Sequence, residues 1–216
     1  MSDLFADVTE KPVWSEQLGP GSVLLHAFAL HAIDAVYADV QQLIQKSTLR
    51  QMVTAGGYQM SVSTTNCGEL GWVSDLKGYR YERLDPLTGH PWQAMPESLE
   101  RLAKQAANAA GYPNFEPDAC LINRYDVGCK MSLHQDRNEK DYRWPVVSLS
   151  LGLPAIFMFG GNERSDKYSN VLLEHGDVIV WGGPDRMRFH GVKQIKPGEH
   201  PLCGQSRINL TWRKAG

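Results

Sequence analysis

The chain has 216 residues, 42% of them hydrophobic and 21% charged, and a formal net charge of −2 with a pI near 6.4. This length and composition fit one globular domain with a substantial core and exclude a disordered chain. The near-neutral charge excludes a protein that coats nucleic acid by bulk electrostatics, although a local basic surface would still bind a few phosphates.

Cysteine usage and the N-terminus indicate the compartment. The four cysteines form neither a Cys-x-x-Cys pair nor a zinc-binding spacing, so we expect reduced thiols. Residues Met1 to Asp7 lack the basic and apolar regions of an export signal, and no apolar run of 18 residues follows. We therefore expect a cytoplasmic protein that does not associate with membranes. A monomer is also expected.

Two amphipathic helices are predicted in the first half of the chain. Apolar residues recur at helical spacing between His31 and Lys46. A second helix is expected from Pro96, which suits a helix start, to Gly111, which suits the position after a helix end. We expect residues of about 1–50 and 93–111 to form helical support for a sheet.

The segment of about 54–92, between these helices, is rich in glycine, threonine, serine and aromatic residues and has no long apolar period. Short hairpins or a flexible cover are expected there. Aromatic residues in such a cover suit an enzyme that acts on a planar base, since base stacking is worth about 1–3 kcal/mol. Ordinary packing of these aromatics within the cover is the alternative.

Short strands separated by turns dominate from about residue 118 to the end of the chain, beginning with Cys120 to Tyr125. Strands that follow mostly earlier helices predict an α+β protein, mainly β, with a sandwich or barrel core over 118–216. No repeat or linker divides the chain, so residues 1–216 are expected to form a single domain.

A metal site is predicted from His134 and Asp136, which lie two residues apart. On a strand, residues i and i+2 share a face, so both side chains can reach one ion. His190 is the candidate third ligand. Two histidines and one carboxylate with open coordination positions suit non-haem Fe(II) that activates oxygen. The short motif alone is weak evidence, because an ordinary surface pair has the same spacing.

The C-terminal segment Arg207 to Arg213 alternates strictly and is predicted to be a strand. One face is apolar, and the other carries Arg207, Asn209, Thr211 and Arg213. Its two guanidinium groups could bind a dicarboxylate if the strand curves around it, whereas a solvated strand face is the alternative. Asn123 and Tyr125 share one face of another strand and could add hydrogen bonds to a carboxylate.

Basic residues fall in the loops that flank the proposed metal ligands: Lys130, Arg137, Arg164, Lys167, Arg186 and Arg188. A local basic rim of this kind would suffice for a few phosphates. Scattered solubilising charges remain the alternative for any one of them.

Together, His134-x-Asp136, His190, the Arg207–Arg213 strand and Asn123-Arg124-Tyr125 resemble the AlkB family of Fe(II)- and 2-oxoglutarate-dependent nucleic-acid demethylases. The resemblance is close to the bacterial alkylation-repair members and runs from about Met52 to the C-terminus. It implies a double-stranded β-helix, or jelly-roll, core with N-terminal helices and a nucleotide-recognition lid over about 54–92. The implied cofactor is Fe(II), with 2-oxoglutarate and O2 as cosubstrates.

The same resemblance implies roles for individual residues. His134, Asp136 and His190 would bind the metal. Arg207, helped by Tyr125 and Asn209, would bind the distal carboxylate of 2-oxoglutarate, and Arg213 and Asn123 would lie nearer the end that chelates iron. Trp72 would stack on the target base, with His190 near its other face. Tyr79 would contact a phosphate, and Arg164 would belong to the substrate-binding surface.

The implied activity is oxidative demethylation of N1-methyladenine and N3-methylcytosine, and also of etheno adducts, in single-stranded DNA or RNA. Decarboxylation of 2-oxoglutarate would be coupled to hydroxylation of the methyl group and release of formaldehyde. A base inside a duplex cannot reach the metal, so a single-stranded or flipped nucleotide is expected.

The chain departs from its close relatives at Asn138, where those proteins have an aspartate. A neutral amide gives a weaker hydrogen bond to a cationic base than a carboxylate does. We therefore expect a weaker preference for cationic methyl lesions and better tolerance of neutral etheno bases.

Two other functions are compatible with the sequence. One is a 2-oxoglutarate dioxygenase that acts on RNA, tRNA or a small molecule, since the sequence does not show contacts to a 2′-hydroxyl. The other is a metal-containing jelly-roll protein that binds without turnover, for which Arg207 and Arg213 would have no evident use.

Overall fold

The computed structural model describes residues 11–216, so the N-terminal residues Met1 to Asp7, on which the prediction about export rests, lie outside the described part. Two α-helices are present in this range, α1 (Ile33–Lys46) and α2 (Glu97–Ala109). The strands are β1 (Trp14–Gly19), β2 (Ser22–His26), β3 (Arg50–Val53), β4 (Gln59–Gly68), β5 (Gly71–Asp75), β6 (Gly78–Glu82), β7 (Ala119–Asp126), β8 (Met131–His134), β9 (Val146–Gly152), β10 (Ala155–Phe159), β11 (Ser169–Leu173), β12 (Val178–Trp181), β13 (His190–Val192) and β14 (Ser206–Arg213).

Two large sheets form the core. The major sheet has eight strands in the order β1-β2-β12-β9-β14-β7-β4-β3, and the minor sheet has four in the order β11-β10-β13-β8. One apolar cluster joins strands of both sheets, while a second lies between the major sheet and the two helices. This is the predicted jelly-roll fold, in which alternation along each strand directs one set of residues between the sheets and the other toward the helices.

Strand β14 shows how the alternation positions the site. Its apolar residues Ile208, Leu210 and Trp212 join the cluster that packs on the helices. Its other face, Arg207, Asn209, Thr211 and Arg213, is also buried and contributes to a cavity between the sheets. The solvated strand face considered from the sequence is therefore wrong, because the minor sheet covers this side of β14.

The structure changes two details of the predicted organisation. The segment of about 1–50, expected to be helical support, also contains the β1–β2 hairpin, because the apolar run Val23-Leu24-Leu25 extends the major sheet beside β12. Within the segment of about 54–92, β4 belongs to the major sheet because it pairs with β7 over six residues. The separate two-stranded sheet β5–β6, called the recognition hairpin below, is what remains as a cover.

None of the helices in residues 11–216 combines the length and the apolar character needed to cross a membrane.

Candidate metal and cosubstrate site

The proposed metal ligands meet where the minor sheet ends. His134 on β8 and His190 on β13 are direct cross-strand partners, and Asp136 follows β8. Asp136 Oδ1 lies 3.9 Å from the Nε2 atoms of both histidines. One ligand atom from each of the three side chains falls within 4.8 Å of the others, and no other such cluster of three occurs in the described residues.

Glycine at position 191 allows β8 and β13 to approach this closely. A Cβ atom at Gly191 would lie 2.7 Å from the Met131 carbonyl oxygen on β8, which is too close for any other residue without a shift of the backbone. The cross-strand position of the two histidines therefore depends on the residue that follows the second one.

Backbone carbonyls orient both imidazoles. Nδ1 of His134 lies 2.9 Å from the Ser132 carbonyl oxygen, and Nδ1 of His190 lies 3.0 Å from that of Arg188. A hydrogen bond donated by Nδ1–H leaves Nε2 unprotonated and directed toward the shared site, which is the usual outer-shell arrangement of metal-binding histidines. Burial, together with the neighbouring His134, lowers the pKa of His190 to about 3, so its ring is neutral and available as a ligand at physiological pH.

Arg213 keeps the third ligand ionised. Its Nε and Nη2 atoms donate to Asp136 Oδ2 at 2.9 and 2.7 Å, which leaves Oδ1 to face the histidines. Burial opposes the charged form of Asp136, but Arg213 and then the two histidines outweigh it and hold its pKa well below the usual range. The resemblance placed Arg213 near the iron-chelating end of the cosubstrate, and in the structure its guanidinium contacts Asp136, one of the proposed metal ligands.

A buried cationic group lies further along β14. The side chain of Arg207 packs over the Tyr125 ring, which β7 places directly opposite, and its Nη2 donates to Ser150 Oγ at 2.9 Å. Arg207 is only 1% exposed, yet its Nε and Nη1 atoms have no hydrogen-bond partner within residues 11–216. An unpaired buried guanidinium is costly, so this position fits a ligand that supplies a carboxylate.

Asn209 lines the same cavity as Arg207 and is also hydrogen-bonded within the sheet. Its Nδ2 donates to Ser148 Oγ and to the Leu149 carbonyl, and its Oδ1 accepts from Asn123 and Thr211. Both polar atoms therefore have partners inside the sheet, and the contribution of Asn209 to 2-oxoglutarate binding stays a prediction. Asn123 Oδ1 is buried and has no partner in the described part of the chain.

One cavity of about 740 Å³ connects these groups. It is lined by all three proposed metal ligands, by the polar face of β14, and by side chains of the recognition hairpin. A cavity of this size can hold a small dicarboxylate and a nucleobase together. The fold thus places the metal ligands, the unpaired cationic group and the aromatic residues around one space.

The recognition hairpin contributes Trp72 and Tyr79, whose rings stack with their centroids 5.7 Å apart. Asn66 on β4 anchors the hairpin by exchanging two hydrogen bonds of 3.0 Å with the backbone of Trp72. Asn138 accepts from the Trp72 indole N–H at 3.2 Å and donates to the Tyr79 carbonyl at 3.3 Å. The amide at position 138 therefore links the loop after β8 to both strands of the hairpin.

The two histidines differ in what they present to the cavity. The His190 side chain is 5% exposed and packs against Phe157 and Trp181, while that of His134 is 36% exposed. Both histidines line the cavity, and His134 presents the more exposed ring to it. That His190 lies near the other face of the base stays a prediction, and the core aromatics packed on its ring favour His134 for that contact.

The predicted basic rim is only partly present. Arg164, Arg137 and Lys130 are exposed and line the cavity, and the Arg164 guanidinium lies 5.5 Å from the Phe189 ring centroid. Arg186, in contrast, is 2% exposed and forms an ion pair with Glu139, so it is not available to a phosphate. Position in a loop near the proposed ligands therefore did not distinguish an exposed arginine such as Arg164 from the buried Arg186.

Several residues that shape the site were not identified from the sequence: Asn66, Tyr81, Glu139, Ser148, Ser150. Parity with Val147 and Leu149 could have placed the two serines on the cavity side of β9, since β9 and β14 are neighbours. Tyr81 and Glu139 depend on contacts between segments far apart in the chain, and Asn66 bonds the backbone of Trp72 six residues later across the turn between β4 and β5.

Comparison with known proteins agrees with this geometry. The model of the 2OG-Fe(II) oxygenase superfamily matches residues 21–213. The chain is 54% identical over 216 residues to "Alpha-ketoglutarate-dependent dioxygenase AlkB" of Escherichia coli (strain K12), an alignment that covers 100% of this chain and 99% of that protein. It is 31% identical over 132 residues to "Nucleic acid dioxygenase ALKBH1" of Mus musculus, which covers 61% of this chain and 33% of the mouse protein. A solved structure, "The structure of OsALKBH1", superposes with a TM-score of 0.81 at 31% identity, covering 93% of this chain and 100% of the other.

Proposed function

Because the chain belongs to the AlkB family of the 2OG-Fe(II) oxygenase superfamily, we propose that it removes alkyl groups from nucleic-acid bases by oxidation. The protein is a dioxygenase that depends on Fe(II) and 2-oxoglutarate. This membership decides against a jelly-roll protein that binds without turnover. The substrate is the proposed part: N-methylated adenine and cytosine in single-stranded DNA, with RNA as a related substrate.

Three groups of the chain would hold the reacting components. Oδ1 of Asp136 and the Nε2 atoms of His134 and His190 would bind the metal, and Arg207 would bind the distal carboxylate of 2-oxoglutarate. Bound Fe(II) supplies the activation of O2 that couples oxidative decarboxylation of 2-oxoglutarate to hydroxylation of the substrate. Arg213 would keep Asp136 ionised and fixed through both of its hydrogen bonds.

The observation that carries the proposed substrate is the shared cavity. Trp72 and the exposed side of His134 line the same space, so a planar base placed there would lie beside the metal ligands. Cationic bases such as N1-methyladenine would gain about 0.5–2 kcal/mol from stacking on an indole. Arg164, Arg137 and Lys130 at the rim would contact phosphates. The mouse relative, which is named a nucleic acid dioxygenase, supports the same substrate class.

Turnover of a defined oligonucleotide tests the proposal. A single-stranded DNA carrying one N1-methyladenine, incubated aerobically with Fe(II), ascorbate and 2-oxoglutarate, is expected to lose the methyl mass with a matching amount of succinate. His134→Ala is the inactive control. Succinate without loss of the methyl group would contradict the proposed lesion and direct the search to RNA or other adducts. A monomer, also proposed, is checked by light scattering on the same sample.

Replacing Asn138 with aspartate is expected to shift the lesion preference. The carboxylate can still accept from Trp72, but it cannot donate to the Tyr79 carbonyl, and it adds a negative charge beside the cavity. A charge-assisted hydrogen bond is about twice as strong as a neutral one, so we expect about a fivefold gain for N1-methyladenine relative to an etheno base. The ratio of kcat/KM for the two oligonucleotides measures this, and an unchanged ratio in Asn138→Asp would refute it.

A further inference from the structure

Glu139 lies outside the cavity but next to the groups that hold the site together. It follows Asp136 by three residues and is 6% exposed, and it does not contribute to the cavity lining. A carboxylate this deeply buried needs charged or hydrogen-bonding partners on both oxygens. The contacts of Glu139 therefore indicate its role.

Both oxygens of Glu139 are engaged. Oε2 forms an ion pair of 3.0 Å with Arg186 Nη2. Oε1 accepts a hydrogen bond of 2.8 Å from the Tyr81 hydroxyl and lies 3.4 Å from Arg213 Nε. One buried carboxylate thus contacts two arginines and one tyrosine, each from a different segment of the chain.

The two arginines converge on Asp136 from different sides. Arg213 donates twice to the Asp136 carboxylate, and Arg186 Nη1 donates to the Asp136 carbonyl oxygen at 2.9 Å. Glu139 therefore contacts both guanidinium groups that fix the side chain and the backbone of the proposed metal ligand. Two carboxylates and two guanidiniums also balance in charge, which permits all four to be buried together.

Tyr81 connects this cluster of charged residues to the recognition hairpin. It lies on β6 and is the cross-strand partner of Trp72 on β5, so the two residues are neighbours in the recognition hairpin. The hydroxyl of Tyr81 is the contact through which the hairpin reaches Glu139. A displacement of the hairpin would remove one of the hydrogen bonds to the carboxylate that positions Arg213.

We infer that Glu139 is a positioning residue that fixes Arg213 and Arg186 on the metal ligand Asp136 and, through Tyr81, couples the seating of the recognition hairpin to the geometry of the iron site. The part of the inference that concerns base oxidation rests on the proposed function. The part that concerns metal binding depends only on the contacts among Glu139, Arg186, Arg213 and Asp136. Loss of the Glu139 charge should therefore affect metal binding, and loss of the Tyr81 hydroxyl should affect the coupling of cosubstrate consumption to base oxidation.

Two conservative variants separate these effects. In Glu139→Gln, we expect Fe(II) affinity to fall by about 10- to 100-fold, the range typical for loss of an outer-shell partner of a metal ligand. Anaerobic titration of Fe(II) into the protein with 2-oxoglutarate, followed by the visible charge-transfer absorbance of that complex, measures the affinity without turnover. Glu82→Gln is the matched control, because Glu82 pairs with Arg80 on the outer part of the same hairpin.

In Tyr81→Phe, Fe(II) affinity should stay within about threefold of the parent, while succinate formed per base demethylated should rise at least threefold. Tyr37→Phe, which removes a hydroxyl bonded to the Leu202 carbonyl, is the matched control.

A lower melting temperature in both Glu139→Gln and Tyr81→Phe, with unchanged Fe(II) affinity and an unchanged succinate ratio, would reduce Glu139 to a structural role and overturn the inference. If the parent demethylates no base, the proposed function fails, while the Fe(II) titration of Glu139→Gln still decides the positioning role.

Discussion

Replacing Asp136 with asparagine will reduce 2-oxoglutarate-dependent demethylation by more than about 100-fold, which is the upper end of the loss caused by removing an outer-shell partner alone. The amide keeps the volume of the side chain but is a weaker ligand and no longer neutralises Arg213, which donates twice to Oδ2. Methyl loss from an N1-methyladenine oligonucleotide at saturating Fe(II) measures the effect. Asp126→Asn, on the exposed end of β7, is the matched control and should keep the parent rate.

The same substitution should change the dependence of stability on pH. The pKa of Asp136 in the folded protein lies below the value of about 3.9 expected for an unfolded chain. Its ionised form therefore stabilises the fold at pH values above about 4, and this contribution is lost as the pH falls toward the folded pKa. Urea unfolding of the metal-free proteins should show the largest difference between parent and Asp136→Asn near neutral pH and a smaller difference below about pH 3. A difference that stays constant, or that grows in acid, would contradict the ion pair with Arg213.

Replacing Arg207 with alanine is expected to raise the dissociation constant for 2-oxoglutarate by about 30- to 5000-fold. This range corresponds to the roughly 2–5 kcal/mol lost when one partner of a buried, hydrogen-bonded charge pair is truncated. The reason is the position of the guanidinium, which is buried at the end of the cavity with Nε and Nη1 lacking partners among the described residues. Isothermal titration of 2-oxoglutarate into the Mn(II)-loaded protein under anaerobic conditions measures the change.

Two controls make the Arg207 result specific. Arg124→Ala removes a neighbouring guanidinium that lies on the exposed side of β7 and pairs with Asp126, so it should bind 2-oxoglutarate like the parent. Arg207→Lys keeps the charge but not the forked geometry and should be intermediate. Arg207→Ala with parent-like affinity for 2-oxoglutarate and unchanged metal affinity would show that the dicarboxylate binds elsewhere.

Much of the site follows from local features of the sequence. His134 and Asp136 share a strand face because the side-chain period of a strand is two, and the strict alternation of Arg207 to Arg213 separates polar from apolar residues in the same way. Helices α1 and α2 begin and end within a few residues of their predicted bounds. The reason is that helical periodicity and the residues that favour a helix end depend only on neighbours within one or two turns. These features depend on neighbours close in the chain, so they can be read before any fold is known.

Local features did not decide which element each segment joins. β2 and β4 belong to the major sheet because they pair with β12 and β7. Those partner strands lie more than 50 residues away in the chain. The same dependence on distant contacts explains Arg186, which sequence position suggested for the basic rim and which the buried carboxylate of Glu139 instead holds in the interior.

The sequence by itself indicated the His134–Asp136 pair, the polar face of β14 and the β-rich class, because each depends on spacing along a strand. His190 lies on a different strand, so it was the candidate third ligand only from the position of its segment and the resemblance to the AlkB family. Only the tertiary structure decided that His134 is more exposed in the cavity than His190, that Asn209 is hydrogen-bonded to Asn123, and that Glu139 contacts both Tyr81 of the recognition hairpin and Arg213 beside Asp136. The physical reason is that burial and charge pairing are set by the atoms on all sides of a group, and most of those atoms come from segments distant in the chain.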